Sequence, residues 1–100
     1  MFARVTMNQA PGGNVEEITR IVNEMILPRA QQQEGFQGGY WLLERQSGKF
    51  IGVVLWDTEE HLEAAAQFQA ANQGPVLQAM QAAGMSGPPT FEAYEVLAKA

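Results

Sequence analysis

The chain has 100 residues, net charge −5 and a sequence pI near 4.7, with 46% apolar and 17% charged residues. That length supports one domain with one hydrophobic core, and the composition is globular. Zero cysteines exclude disulfides, thiolate metal sites and a cysteine nucleophile, and the one histidine, His61, excludes a multi-histidine metal site within one chain. The acidic balance leaves no electrostatic footprint for nucleic acid or an anionic membrane. Residues 2–7 alternate and read as a short strand, too short and too polar for a signal-peptide core. No run approaches the roughly 20 apolar residues of a membrane-spanning helix, so a soluble cytoplasmic protein is expected.

After the loop Pro11-Gly12-Gly13, Asn14 and Glu17 form a capping-box pattern. Ile18, Ile21, Val22 and Met25 then follow at amphipathic-helix spacing, while Glu16, Arg20 and Glu24 occupy the opposite face. Pro28 removes one helical hydrogen bond and is expected to kink the last turns before Gly35 ends the helix. Residues 36–45 and 49–56 read as a hairpin about Ser47-Gly48. Asp57 and Glu60 repeat the capping pattern ahead of an alanine-rich helix over residues 59–72. Gly74-Pro75 opens a shorter helix that Gly84 stops. Gly87-Pro88-Pro89 reads as a turn and residues 90–98 as the last strand. The order β-α-β-β-α-(α)-β is the split-βαβ, ferredoxin-like arrangement, an α+β fold with an antiparallel sheet.

A two-residue Ser47-Gly48 turn sets Trp41 opposite Val54, Tyr40 opposite Leu55 and Leu43 opposite Gly52. One face of the hairpin then carries Phe36, Tyr40, Leu42, Ile51, Val53 and Leu55, and the other Trp41, Leu43, Phe50, Val54 and Trp56. Both faces are apolar, as in strands covered on both sides. Since this fold puts its helices on one face only, a homodimer with the two sheets packed face to face is expected.

The segment Gly35-Phe36-Gln37-Gly38-Gly39-Tyr40, a strand ending Val54-Leu55-Trp56, and then Asp57-Thr58-Glu59-Glu60-His61-Leu62-Glu63-Ala64 resemble the antibiotic biosynthesis monooxygenase family. That family belongs to the dimeric α/β-barrel superfamily. Pro28 and the closing Thr90-Phe91-Glu92-Ala93-Tyr94-Glu95-Val96 are similar too, so the likeness covers nearly the whole chain. The resemblance implies a barrel-forming dimer with a cavity between sheet and helices in each protomer. Some members of the family oxidise polycyclic phenols with molecular oxygen and no cofactor, and others bind or degrade haem. Where many members carry a histidine about nine residues after the strand-end tryptophan, this chain has Ala65, and no histidine follows His61. Asn8 is the only partial match to the haem branch, so haem degradation is not expected.

His61 is the one side chain whose ordinary pKa lies near neutrality. On a helical wheel it falls with Leu62, Ala64, Ala65 and Phe68 on the inward arc. There, near the positive end of the helix dipole, it fits either a neutral base taking a phenolic proton or a packed histidine bonded to backbone. Trp41 and Trp56 share a face with Gly39 and Gly52, where the glycines leave a slot for a planar ligand or let the indoles fill the core themselves. Arg45 and Arg29 could hold a phenolate or carboxylate, and Tyr40 and Tyr94 could orient a quinone oxygen. No phosphate loop, acid pair, flavin or nicotinamide fingerprint is visible. Two functions fit these residues. One is a cofactor-independent monooxygenase acting on a planar aromatic or quinone-type compound, with His61 as base and Trp41, Trp56, Tyr40, Tyr94, Arg45 and Phe68 binding substrate. The other is a non-catalytic dimeric protein that holds a hydrophobic metabolite in the same cavity.

Overall fold

The structure is a computed structural model that describes residues 1–100, the side chain of Pro88 excepted. Its elements run β1 (Phe2–Gln9), α1 (Val15–Ile21), a π-helical turn (Val22–Ile26), α2 (Leu27–Gln31), β2 (Phe36–Glu44), β3 (Lys49–Trp56), α3 (Glu59–Asn72), α4 (Gly74–Ala82) and β4 (Ser86–Glu95). The four strands form one antiparallel sheet in the order β2-β3-β1-β4, the ferredoxin-like topology.

Local chemistry explains the element ends. Asn14 Oδ1 accepts from the Glu17 amide at 3.1 Å, while the Asn14 amide donates to Ala83 O at 3.0 Å and ties the start of α1 to the end of α4. Glu17 does not close the capping box, because its carboxylate is engaged by Arg20 at 2.9 Å. The disturbance expected at Pro28 takes the form of a π-helical turn just before it. With no N–H at Pro28, the ladder shifts to i→i−5 bonding, and the Leu27 amide reaches Val22 O inside the π-helical turn. Helical structure then stops at Gln31, ahead of Gly35. The second long helix, α3, is capped by Thr58 and not Asp57: Thr58 Oγ1 accepts from the His61 amide at 3.1 Å.

The hairpin register differs from the expected one by two residues. Trp41 pairs with Gly52, Tyr40 with Val53 and Leu43 with Phe50, because the turn is four residues long, from Arg45 to Gly48. Glu44 stabilises that longer turn by accepting from the amides of Gln46 (3.2 Å) and Ser47 (2.7 Å), and these bonds hold its pKa below the ordinary carboxylate value. A shift of two preserves the faces, with one exception. A bulge between Phe36 and Gly38 turns Phe36 onto the Trp56 face, where the two rings meet edge to face at 5.9 Å. The last strand starts at Ser86, so the segment Gly87-Pro88-Pro89 lies within it and not in a turn. Prolines are tolerated there because β4 is an edge strand, beside a register break in β1 between Met7 and Gln9.

All helices lie on the sheet face of Phe50, Gly52, Val54 and Trp56. At one end of this layer Ala10, Ile18, Ile21, Val22, Phe50, Met80, Ala83 and Met85 form a packed core; at the other, Trp56, Leu62 and Ala65 form a smaller one. On the opposite face Val5, Met7, Ile51, Val53 and Leu55 are only half-buried. Tyr40 there is 65% exposed and Leu42 50%.

Candidate ligand cavity

Strand β1 carries an inverted pattern. Register places Phe2, Arg4, Thr6 and Asn8 beside Trp56, Val54, Gly52 and Phe50, so the polar residues of β1 face the helices and its apolar Ala3, Val5 and Met7 face away. Polar side chains under a helical layer prevent the layer from closing down on the sheet. Between the two cores lies a cavity of about 140 Å³ lined by both.

Its floor is Arg4, Thr6, Asn8, Phe50, Val54 and Trp56 from the sheet. Helical residues close over it, among them Ile26 and Arg29 from the first helical layer, Ala65, Phe68 and Gln69 from α3, and Val76 and Met80 from α4. Phe91 of β4 forms one side. Phe68 and Phe91 are the large apolar residues most exposed in this lining, which puts the mouth between α3 and β4. An enclosed apolar cavity of roughly 150 Å³ accommodates benzene. The cavity therefore has room for about one aromatic ring.

Two guanidiniums reach this space, and neither has a carboxylate within ion-pair distance among the described residues. Arg4 lies over the Phe91 ring, 4.2 Å from its centroid, and its Nη1 donates to Gln69 Oε1. Partial burial lowers its pKa, though an arginine stays charged. Arg29 Nη1 donates to Asn72 O at 2.9 Å, which ties α2 to the carbonyl end of α3. Trp56 is 3% exposed, and its Nε1 is a sealed donor without a partner.

The expected site residues divide sharply. Trp56 and Phe68 line the cavity. Trp41 does not. Its indole lies across the two glycines, so that a Cβ on Gly52 would stand 3.1 Å from Cδ1 and one on Gly39 3.2 Å from Cη2. The tryptophan itself occupies the slot, beside a shallower hollow with Val15, Ile18 and Val22. Tyr40 and Tyr94 are on the bare face, and the Tyr94 hydroxyl donates to Glu92, whose carboxylate raises the phenol pKa. Arg45 is in the exposed hairpin turn.

His61 also lies outside the lining, a correction to the inward placement read from the wheel. In the first turn of α3 it meets the Gly35 corner, with Nδ1 2.6 Å from Asp57 Oδ1 and Nε2 3.6 Å from Glu34 Oε1. The Asp57 hydrogen bond raises its pKa; burial opposes this as the next largest effect, and the charges of Asp57, Glu34 and Glu60 each add less. The imidazole thus favours its charged form, opposite to the helix-dipole expectation. Gly35, at φ +87°, passes close beneath: its Cβ would sit 2.3 Å from Asp57 Oδ1 and 2.5 Å from His61 Nδ1. This corner is a clasp between the end of the first helical layer and the start of α3.

Sequence reading missed Arg4, Thr6, Gln69 and Phe91. The signal was present in the alternation of β1 set against that of β3: once paired, the polar positions of β1 fall on the side of Trp56.

Comparison with known proteins agrees with this architecture. The family model for antibiotic biosynthesis monooxygenase matches residues 1–83. The chain belongs to that family. Its fold is that of the family's dimeric α/β-barrel superfamily. Two uncharacterized proteins of Mycobacterium tuberculosis, MT2634 and Rv2557, are each 28% identical over 98 residues, covering 98% of this chain and 42% of their own length. The chain thus spans less than half of these curated relatives. ActVA-Orf6, a monooxygenase of Streptomyces coelicolor solved with nanaomycin D, superposes with a TM-score of 0.72 at 14% identity, over 99% of this chain and 89% of that one. A mutant of SnoaB, a cofactor-independent oxygenase from Streptomyces nogalater, gives 0.71 at 15%, over 98% and 94%. Identities this low establish a shared fold. At the level of family and fold the chain is of the antibiotic biosynthesis monooxygenase type. No helix in the described residues is long and apolar enough to cross a membrane.

Proposed function

We propose that this protein is a cofactor-independent monooxygenase acting on a planar aromatic or quinone-type compound held in the cavity beneath α3 and α4. The observation that carries the reading is the cavity: aromatic walls from Trp56, Phe68, Phe50 and Phe91, with Thr6, Asn8 and Gln69 available to bond ring oxygens. Oxidation of an activated methylene suits such a site. A ring CH₂ becomes C=O as one O₂ supplies one oxygen atom to the product and the other to water. The four electrons leaving carbon are the four that O₂ accepts, so no external reductant enters the balance.

The lining contains no histidine, acid, lysine or tyrosine. The proton therefore has to leave a substrate acidic enough to ionise by itself, such as an anthrone-type phenol, and the site's task is to desolvate and hold the resulting anion while oxygen reacts. The same observation favours a second reading, a non-catalytic protein that binds a hydrophobic metabolite and returns it unchanged. In either case the bare sheet face is proposed to pack against that of a second copy, since Tyr40, Leu42, Ile51, Val53 and Leu55 make a continuous apolar surface.

Oxygen uptake with a panel of anthrone-type phenols separates the two. The monooxygenase reading expects one O₂ consumed per quinone formed, abolished in Ala65→Phe, which fills the cavity, and kept in His61→Ala. Binding without uptake across the panel selects the second reading.

A further inference from the structure

Neither reading assigns a part to Arg4, which lines the cavity. Apolar cavities do not require a cation, and a half-buried guanidinium is kept only where something holds it. Here the holding groups are neutral: the Phe91 ring at 4.2 Å on one face and the Gln69 side-chain oxygen at Nη1. Among the described residues no protein acceptor meets Nε or Nη2. Neither is sealed away, since Trp56 Nε1 is the one buried side-chain donor there without a partner. With the Phe91 ring against the guanidinium and Gln69 on Nη1, the Nε/Nη2 edge is left without a protein partner among the described residues. Two parallel N–H groups on one edge match the two oxygens of a carboxylate, whereas a single ring oxygen uses such a fork poorly.

We infer that Arg4 is a specificity residue that seats a carboxylate, and that the ligand of this cavity is an aromatic acid: a planar ring system bearing one carboxylate at the end that reaches β1. The inference rests on the proposed aromatic cavity and adds the charge of its ligand. It accounts for the inverted polarity of β1, whose covered face would otherwise be expected to carry apolar side chains. The partial burial of Arg4 also strengthens its attraction to an anion entering the same space. Arg29 is not assigned this part, since among the described residues no aromatic ring backs its guanidinium as Phe91 backs Arg4.

Calorimetric titration of the full chain with 2-naphthoate and with its neutral isostere 2-naphthamide tests the inference. Wild type is expected to bind naphthoate roughly ten- to a hundred-fold tighter, the range for a charge-assisted bidentate pair. Arg4→Met should remove that preference, bringing the ratio of naphthoate to naphthamide affinity to about one, and Arg4→Lys should restore part of it. Phe91→Leu, which removes the stacking surface and one aromatic wall while keeping Arg4, should weaken both probes but cost naphthoate several-fold more than naphthamide. If Arg4→Met fails to fold, the wild-type comparison and Phe91→Leu still decide. Equal binding of both probes to wild type overturns the carboxylate seat and leaves the aromatic cavity standing, as does a preference that survives in Arg4→Met. Binding of neither probe overturns both.

Discussion

The two faces of the sheet are built from the same strands and nearly the same apolar content, yet they do different work. The helix-covered face holds Trp56 and Phe50 in packed surroundings and interrupts them with Arg4, Thr6 and Asn8. The bare face is apolar along Val5, Met7, Ile51, Val53 and Leu55, with Tyr40 and Leu42 projecting from it and Glu92 at its β4 edge. Polarity therefore appears on the side that a monomer buries, and apolarity on the side that it exposes. The contrast teaches that covering a face and filling it are separate tasks: one side is covered but left hollow, the other filled but left uncovered.

The largest test of that contrast is Trp56→Ala, expected to cost about 3–5 kcal/mol in urea unfolding at fixed protein concentration. A loss below about 1 kcal/mol would show that the covered face is not where the fold is held. Leu42→Glu addresses the bare face. If two copies pack there, light scattering should show wild type at twice the chain mass and the variant at one chain mass. The expected weakening of association is about a hundred-fold, or about 2.7 kcal/mol. A wild type that stays monomeric at micromolar concentration ends the two-sided account.

A smaller effect comes from Gly35, where a positive φ and the collision with Asp57 and His61 coincide. Gly35→Ala should cost about 2 kcal/mol, against little change for Gly74→Ala, whose Cβ meets nothing within 4 Å. Equal effects at the two glycines would remove the clasp from the account.

The smallest effect is pH-dependent. Asp57 raises the pKa of His61, so the histidine's contribution is complete below the ordinary imidazole pKa of about 6.5 and fades as pH rises through the folded value. The lowered pKa of Asp57 works in the opposite sense: its contribution is complete above about 3.9 and lost as pH falls through the folded value. The melting difference between wild type and His61→Ala should therefore be larger at pH 5.5 than at pH 8.5, with ligand affinity unchanged. A difference that grows with pH contradicts the ion pair.

The order of elements was legible because glycines, prolines and capping residues punctuate this chain clearly, and α3 runs over residues 59–72 as its alanine-rich pattern suggests. The hairpin register was not, because Ser47-Gly48 looks like a complete turn while the bonds that lengthen it come from Glu44, before the turn. Phe36 changed faces through a bulge at Gln37 that no side-chain pattern marks. His61 was placed inward by a wheel that gives direction but not height: the first turn of α3 extends past the cavity and meets Gly35 instead. Trp41 and Trp56 share a face and a neighbourhood of glycines, and only strand register shows that Trp41 lies over Gly52 while Trp56 borders open space. The site was hardest to read where its chemistry opposes the usual polarity of a buried strand face, at Arg4, Thr6 and Asn8.

The two tryptophans make the most direct measurement available. Each contributes one indole N–H resonance, Trp56 beside the cavity and Trp41 in the glycine slot at the packed end. On titration with 2-naphthamide, followed by proton–nitrogen correlation spectra, the Trp56 indole peak should shift progressively and saturate while the Trp41 peak stays within its linewidth. A shift confined to Trp41, or saturable binding that moves neither indole, would place the ligand elsewhere and contradict the cavity as the functional site.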